Sequence, residues 1–139
     1  MPLASLLAVG ITRCCAAHSS DMEILLAFGA GGVGYMGLEL LWRRRTHWSM
    51  GLAGGVCAAL LWALFTARPM PWWGAYLWGA AVITAVEFLT GLVVNRWLGL
   101  GVWDYSARRF QLYGQICLGF SLLWGLLGLA IWGVAQMTV

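Results

Sequence analysis

The stretch Trp73–Val94 reads WGAYLWGAAVITAVEFLTGLVV and contains one charged side chain, that of Glu87. About 20 predominantly apolar residues are enough to cross the ~30 Å hydrocarbon core of a bilayer as a helix. Because lipid offers the backbone no hydrogen bonds, a run this long and this apolar crosses as a helix. The stretch therefore predicts a transmembrane α-helix with a carboxyl group inside the membrane.

Three further stretches of the same kind lie on either side of it. They are Ile24–Trp42, Trp48–Ala67 and Tyr113–Val134. The chain is 62% hydrophobic and only 9% charged, whereas soluble domains average about 25% charged residues. We therefore predict an all-α fold, an integral membrane bundle of four transmembrane helices that forms a single domain over residues 24–139. Such a multi-pass protein is expected in the plasma or inner membrane, in contact with the lipid bilayer.

Residues 1–23 form a separate N-terminal segment with two open interpretations. Leu3–Ile11 is apolar but too short to span a bilayer, and no positive charge precedes it as in a signal peptide. Met22 stands just before the first predicted helix, so translation beginning there is one interpretation. A short interfacial or signal-like stretch is the other.

The eight basic residues are all arginines, and their distribution predicts the orientation. Six lie in the first and third connections and two on the opposite side: Arg43, Arg44, Arg45, Arg96, Arg108 and Arg109 against Arg13 and Arg68. Cytoplasmic loops are enriched in Lys and Arg. We therefore expect the first and third loops in the cytoplasm and both termini outside.

Two glutamates lie inside predicted spans and near the same side of the membrane. Glu39 is roughly 5 Å and Glu87 roughly 10 Å from the ends of their helices, at 1.5 Å rise per residue. Ionisable residues within a membrane are rare and usually face a bundle interior or a cavity. We predict a cytoplasm-facing substrate or ion pocket built from Glu39, Glu87, Thr84, Thr90, Asn95, Arg96, Trp103, Asp104, Tyr105 and Gln115.

Each glutamate also has a structural interpretation. Glu39 precedes Arg43 by four residues, the favourable order for an ion pair that merely ends a helix. Glu87 has Thr84 and Thr90 on its own face of the helix, and its carboxyl group could be neutral and hydrogen-bonded to a neighbouring helix. Both interpretations stay open beside the functional one.

The third loop has similar alternatives. Trp103–Ser106 places two aromatic rings around an acid, which can shape a pocket mouth or belong to an interfacial aromatic belt. Asp104 can cap a turn. Arg108 and Arg109 can anchor to lipid head groups, or join Arg96 in holding an anionic ligand.

Several activities lack a signature in this chain. The run Gly29–Gly34 matches GxGxxG, but it lies in a predicted span and no acid lies between Glu39 and Glu87, so close helix packing explains it better. There is no GxxxxGK[ST] phosphate loop, no nucleophile arrangement and no metal-ligand spacing. We predict no cofactor, no metal, and, with a net charge of +3, no nucleic-acid partner. The chain has no catalytic signature of an enzyme.

Five motifs together resemble one known family. They are Gly34–Glu39, Thr46–Met50, ITAVEFLTG at Ile83–Gly91, WDYS at Trp103–Ser106, and GQICL at Gly114–Leu118. They are similar to the ABC-transporter type IV, or CmpB-like, membrane permease family and to its eukaryotic relatives, the transmembrane protein 229 group. The resemblance covers residues 24–135. It departs at Arg109–Gln111, where the family often has Pro-Phe-Asn.

The resemblance implies a four-helix membrane protein with a role in transport. Four helices rarely enclose a solute pathway, so a permease of this size is expected to form a homo-oligomer or join other membrane subunits. An ABC role would also require a separate ATPase. We hypothesise a small permease or permease subunit with a polar pocket on the two glutamates. The alternatives are a membrane-embedded enzyme acting on a lipid head group, and a structural or regulatory membrane subunit.

Overall fold

The computed structural model describes the backbone of residues 3–138 and the side chains of residues 20–138. Four α-helices occur in this part of the chain: α1 Leu3–Arg43, α2 Trp48–Ala67, α3 Trp72–Gly91 and α4 Leu118–Thr138. A π-helical segment, Leu92–Trp97, continues α3, and an antiparallel hairpin of β1 (Gln111–Leu112) and β2 (Ile116–Cys117) precedes α4. The stretches long and apolar enough to span a membrane are Ser20–Arg43, Trp48–Ala67, Trp72–Trp97 and Leu118–Thr138. The predicted all-α bundle of four transmembrane helices is confirmed.

The start of the fourth helix is where the prediction was wrong. It was expected near Tyr113, but α4 begins at Leu118 because the preceding residues form the hairpin. Tyr113 and Gly114 have φ angles of +51° and +69°, which reverse the chain and exclude a helix there. Gln115 therefore lies in the hairpin. Most of the predicted N-terminal segment, residues 1–23, falls outside the described side chains.

Glycines bring α1 and α2 together at very short range. A Cβ atom on Gly32 would lie 2.7 Å from the carbonyl oxygen of Gly51, and one on Gly55 would lie 2.8 Å from that of Phe28. Contacts this close require residues without side chains, as in many membrane helix pairs. Part of the glycine run in α1 thus packs against α2, whereas Gly34 has open space beside it.

The second pair, α3 and α4, also packs through glycines. A Cβ atom on Gly79 would lie 2.5 Å from the Cα atom of Gly128, so the two backbones touch. Tyr76 lies over Gly125, and its hydroxyl donates to the carbonyl oxygen of Leu122 at 2.8 Å. These contacts hold α3 and α4 together as the second helix pair.

The two helix pairs meet through α2. Its fully buried residues Leu61 and Phe65 pack in one core with Ala75 and Ile83 of α3 and Ala135 of α4. In contrast, α1 contacts α4 only sparsely. The bundle is therefore tight on the side of α2 and α3 and loose between α1 and α4.

Candidate intramembrane binding site

A cavity of about 470 Å³ lies between the four helices. Its wall consists mostly of small and aliphatic side chains from α1, α2 and α4, together with Cys57 and Trp62 of α2. Three residues of α3 and three aromatic residues complete it: Ile83, Glu87, Thr90, Tyr35, Trp103 and Trp124. The cavity is thus apolar over most of its surface and has one carboxyl group.

Both carboxylate oxygens of Glu87 accept hydrogen bonds from uncharged donors. The Tyr105 hydroxyl donates to Oε1 at 2.9 Å, and Trp124 Nε1 of α4 donates to Oε2 at 2.8 Å. Glu87 is only 6% exposed. Among residues 20–138, the ion pair that the structure contains joins Arg43 and Glu39, so no described cation neutralises Glu87. Its carboxyl group is therefore held by neutral donors alone.

Aromatic rings form a wall beside this carboxylate. The Trp124 ring lies 5.9 Å from Tyr35 and 5.9 Å from Phe120, measured between centroids. Phe120 in turn stacks on Tyr105 at 5.1 Å. Burial, and then the neighbouring Glu87, raise the pKa of Tyr105 above its ordinary value, so its hydroxyl stays protonated and remains a donor.

Glu39 makes different contacts from those of Glu87. It accepts from Arg43 Nη1 at 3.0 Å and from the Thr46 hydroxyl at 2.9 Å, and it does not line the cavity. Arg43 Nη2 also donates to the carbonyl oxygen of Val102 at 2.7 Å. The pair expected from the i, i+4 spacing is present, and it ties the end of α1 to the third loop.

Asn95, in the π-helical segment, holds the same loop from α3. Its side chain accepts from the Val102 backbone N–H at 2.7 Å and donates to the Trp103 carbonyl at 3.0 Å and to Gln115 Oε1 at 2.9 Å. Trp103 Nε1 donates to the Gln115 carbonyl at 2.9 Å. A Cβ atom at Gly91 would collide with Gln115, so this glycine lets the hairpin approach α3. The loop is therefore fixed over one end of the bundle.

The structure gathers some of the predicted pocket residues and separates others. Glu87, Thr90 and Trp103 line the cavity, Tyr105 binds Glu87, and Asn95 and Gln115 hold Trp103. The remaining four lie elsewhere.

Each of these four residues has a local environment of its own. Glu39 is paired with Arg43, and Arg96 lies over the Tyr113 ring at 5.4 Å. Thr84 lines a separate shallow depression beside Phe88, and its buried hydroxyl has no hydrogen-bond partner. Asp104 accepts from the backbone N–H and the hydroxyl of Ser106 at 2.8 and 2.9 Å, the turn contact that the sequence allows.

Sequence reasoning missed Tyr35, Cys57, Trp62 and Trp124 as wall residues. Trp124 offered a usable signal, since it lies well inside an apolar span rather than at its interfacial end. A buried indole N–H usually finds an acceptor, and Glu87 was the nearest candidate in a facing span. Side chains of residues 20–138 include no group of three or more His, Cys, Asp or Glu that could hold a metal ion.

One protein family matches this chain. The family model described as "Putative ABC-transporter type IV" matches residues 50–139, well over half of the sequence. The chain belongs to this family. No curated protein and no solved structure matches it.

The part that matches the ABC-transporter type IV model runs from the first turn of α2 onward. It includes Glu87, the third loop and Trp124, so the carboxylate and both of its donors lie in the family domain. Glu39 and the rest of α1 precede the matched residues.

Proposed function

We propose that this protein is a small membrane permease, or the membrane subunit of one, that binds its substrate in the cavity beside Glu87. The observation that supports it is a cavity between all four helices with a carboxylate held only by neutral donors. Ionisable residues inside a membrane commonly mark substrate and ion pathways. A volume of about 470 Å³ is within the usual range for a small-molecule site.

Glu87 has two roles in this proposal. It binds a cationic or hydrogen-bond-donating group of the substrate, and it can release or take up a proton as the substrate exchanges. Tyr105 and Trp124 orient the carboxylate, since each donates to a different oxygen. Glu39 and Asn95 act indirectly by holding the third loop over the cavity.

Transport would require an assembly larger than one chain. Four helices rarely enclose a solute pathway by themselves, so a second copy or another membrane subunit would have to contribute to it. The sequence has no phosphate-binding loop, so an ATP-driven transporter would need a separate ATPase. We propose that the protein lies in a plasma or inner membrane, and the arginine distribution supports a cytoplasmic position for the first and third loops.

One observation favours a second candidate, a structural or regulatory membrane subunit. The hydrogen bonds of Arg43 and Asn95 to the third loop fix helix ends and loop as one unit. In that role the polar side chains set the register of the helices, and the protein does not transport a substrate.

The two candidate functions predict different distributions of small molecules between the cell and the medium. Cells producing the wild-type protein, the Glu87→Gln variant or no protein would be compared by mass spectrometry of cell extract and medium, at equal membrane abundance. A permease predicts at least one compound whose cell-to-medium ratio changes with wild type and returns to the control value with Glu87→Gln. Identical profiles for wild type and control would contradict it and favour the structural subunit.

A further inference from the structure

The exposed part of the cavity wall lies on two helices. Wall residues of α2, α3 and the third loop are buried or half-buried. The exposed ones belong to α1 and α4: Ala30, Gly34, Leu38, Ala130 and Val134. Because these two helices barely contact each other, the opening lies between them. In a membrane this opening faces lipid.

The end of the cavity toward the third loop is closed. Trp103 is 5% exposed and held by Gln115 through its indole N–H, and Met50 of α2 is 3% exposed. The loop that positions Trp103 is in turn bound by Arg43 and Asn95. A ligand therefore has no direct route from water at this end.

The cavity is elongated along the bundle axis. Its wall runs from Ala27 to Leu38 on α1 and from Trp124 to Val134 on α4, roughly 15 Å at 1.5 Å rise per residue. Glu87 lies at the Trp124 end, near the third loop. The rest of the wall is mostly apolar, with Tyr35, Thr90 and Trp62 as its other polar side chains. The shape and polarity therefore match a molecule with a polar group at one end of an apolar body.

We infer that the cavity takes up a single-chain amphiphile from the bilayer, between α1 and α4, with its cationic head group against Glu87. This inference rests on the proposed function for its binding site, but not on transport. An anionic head group would meet the Glu87 carboxylate, while the Arg43 cation at this end is engaged by Glu39 and Val102. Arg108 lies over the Phe120 ring at 5.6 Å.

The test uses two photoactivatable probes of equal chain length, a diazirine-bearing long-chain primary amine and the matching carboxylic acid. Each would be added to liposomes containing the purified protein, irradiated, and located by peptide mass spectrometry. We expect the amine to label cavity-wall segments of α1 and α4, at least about tenfold more than the acid, because charge-assisted hydrogen bonds discriminate by this factor or more. Glu87→Gln should remove that preference.

Two matched variants establish that the label reports the cavity. Leucine fits at Gly34 because open space lies beside it, and there it would fill the cavity; Gly29 also has open space but lies off the wall. Gly34→Leu should reduce amine labelling about tenfold, and Gly29→Leu should leave it unchanged. Ala130→Leu, which approaches from α4, provides a second block.

Labelling spread over outward-facing residues such as Leu25 and Leu26, and unaffected by Gly34→Leu and Ala130→Leu, would overturn the inference. Equal labelling by the amine and the acid would overturn the inference that the ligand has a cationic head group. Amine labelling that Gly34→Leu blocks, in a protein that redistributes no compound in cells, would support the binding site and refute the permease.

Discussion

The Gly128→Leu variant is expected to lose the packing between α3 and α4 and to unfold at a clearly lower temperature than the wild type. The Cα atom of Gly128 touches that of Gly79, so any side chain at this position meets backbone that cannot rotate away. Overpacking a core typically destabilises by about 1–3 kcal/mol where side chains can adjust. Because backbone cannot adjust in that way, we expect at least ~3 kcal/mol here, measured by thermal or denaturant unfolding in mild detergent.

Gly133→Leu is the matched control for this prediction. It lies on the same helix, α4, and has open space around it, so the same leucine should change stability little. Equal melting temperatures for the Gly128→Leu variant and the wild type would contradict the packing of α3 on α4. A similar loss at Gly133 would instead indicate an unspecific effect of leucine on α4.

Removing the Tyr105 hydroxyl is expected to destabilise the protein by about 1.5–3 kcal/mol, the range for a hydrogen bond to a charged group. The hydroxyl donates to Glu87 at 2.9 Å, and phenylalanine keeps the ring stacked on Phe120. In a Glu87→Gln background the acceptor is neutral. The same Tyr105→Phe change should then cost only about 0.5–1.5 kcal/mol. The free energies of unfolding of the wild type, the two single variants and the double variant together give the coupling energy between Tyr105 and Glu87.

Tyr76→Phe provides the comparison. The Tyr76 hydroxyl donates to the neutral carbonyl of Leu122 at an exposed position, so its removal should have a small effect that Glu87→Gln leaves unchanged. If Tyr105→Phe costs the same free energy of unfolding in the wild-type and Glu87→Gln backgrounds, the two changes are strictly additive. That result would show that Tyr105 does not stabilise the Glu87 charge.

The helices could be predicted from sequence because a bilayer imposes a length and an apolar composition on each span. Trp48–Ala67 has the same bounds in sequence and structure, and Arg43 ends α1 as its charge suggests. The hairpin before α4 escaped prediction because its second strand, Ile116–Cys117, is apolar and runs directly into the helix at Leu118. Gly114, one of the residues with a positive φ angle, also lies against Asp104 and accepts from the Tyr105 backbone N–H at 2.8 Å, and these neighbours are distant in the sequence.

The candidate site was predictable in its central residue and not in its surroundings. Glu87 stood out because placing an ionisable group inside a transmembrane span costs free energy, so such residues are rare. Its donors come from the third loop and from α4, and no local pattern specifies which side chains of distant segments meet. The sequence already shows Arg43 one turn after Glu39, and the structure adds that no described cation pairs with Glu87. This difference is why the proposed binding role is given to Glu87 and a loop-holding role to Glu39.

Native mass spectrometry of the protein in mild detergent, with no ligand added, tests most directly whether the cavity is a binding site. We expect wild type and Gly29→Leu to carry one small molecule per chain, and Gly34→Leu, with its cavity filled, to carry none. Wild-type protein that is consistently free of any bound molecule, or adducts that persist equally in Gly34→Leu, would contradict it.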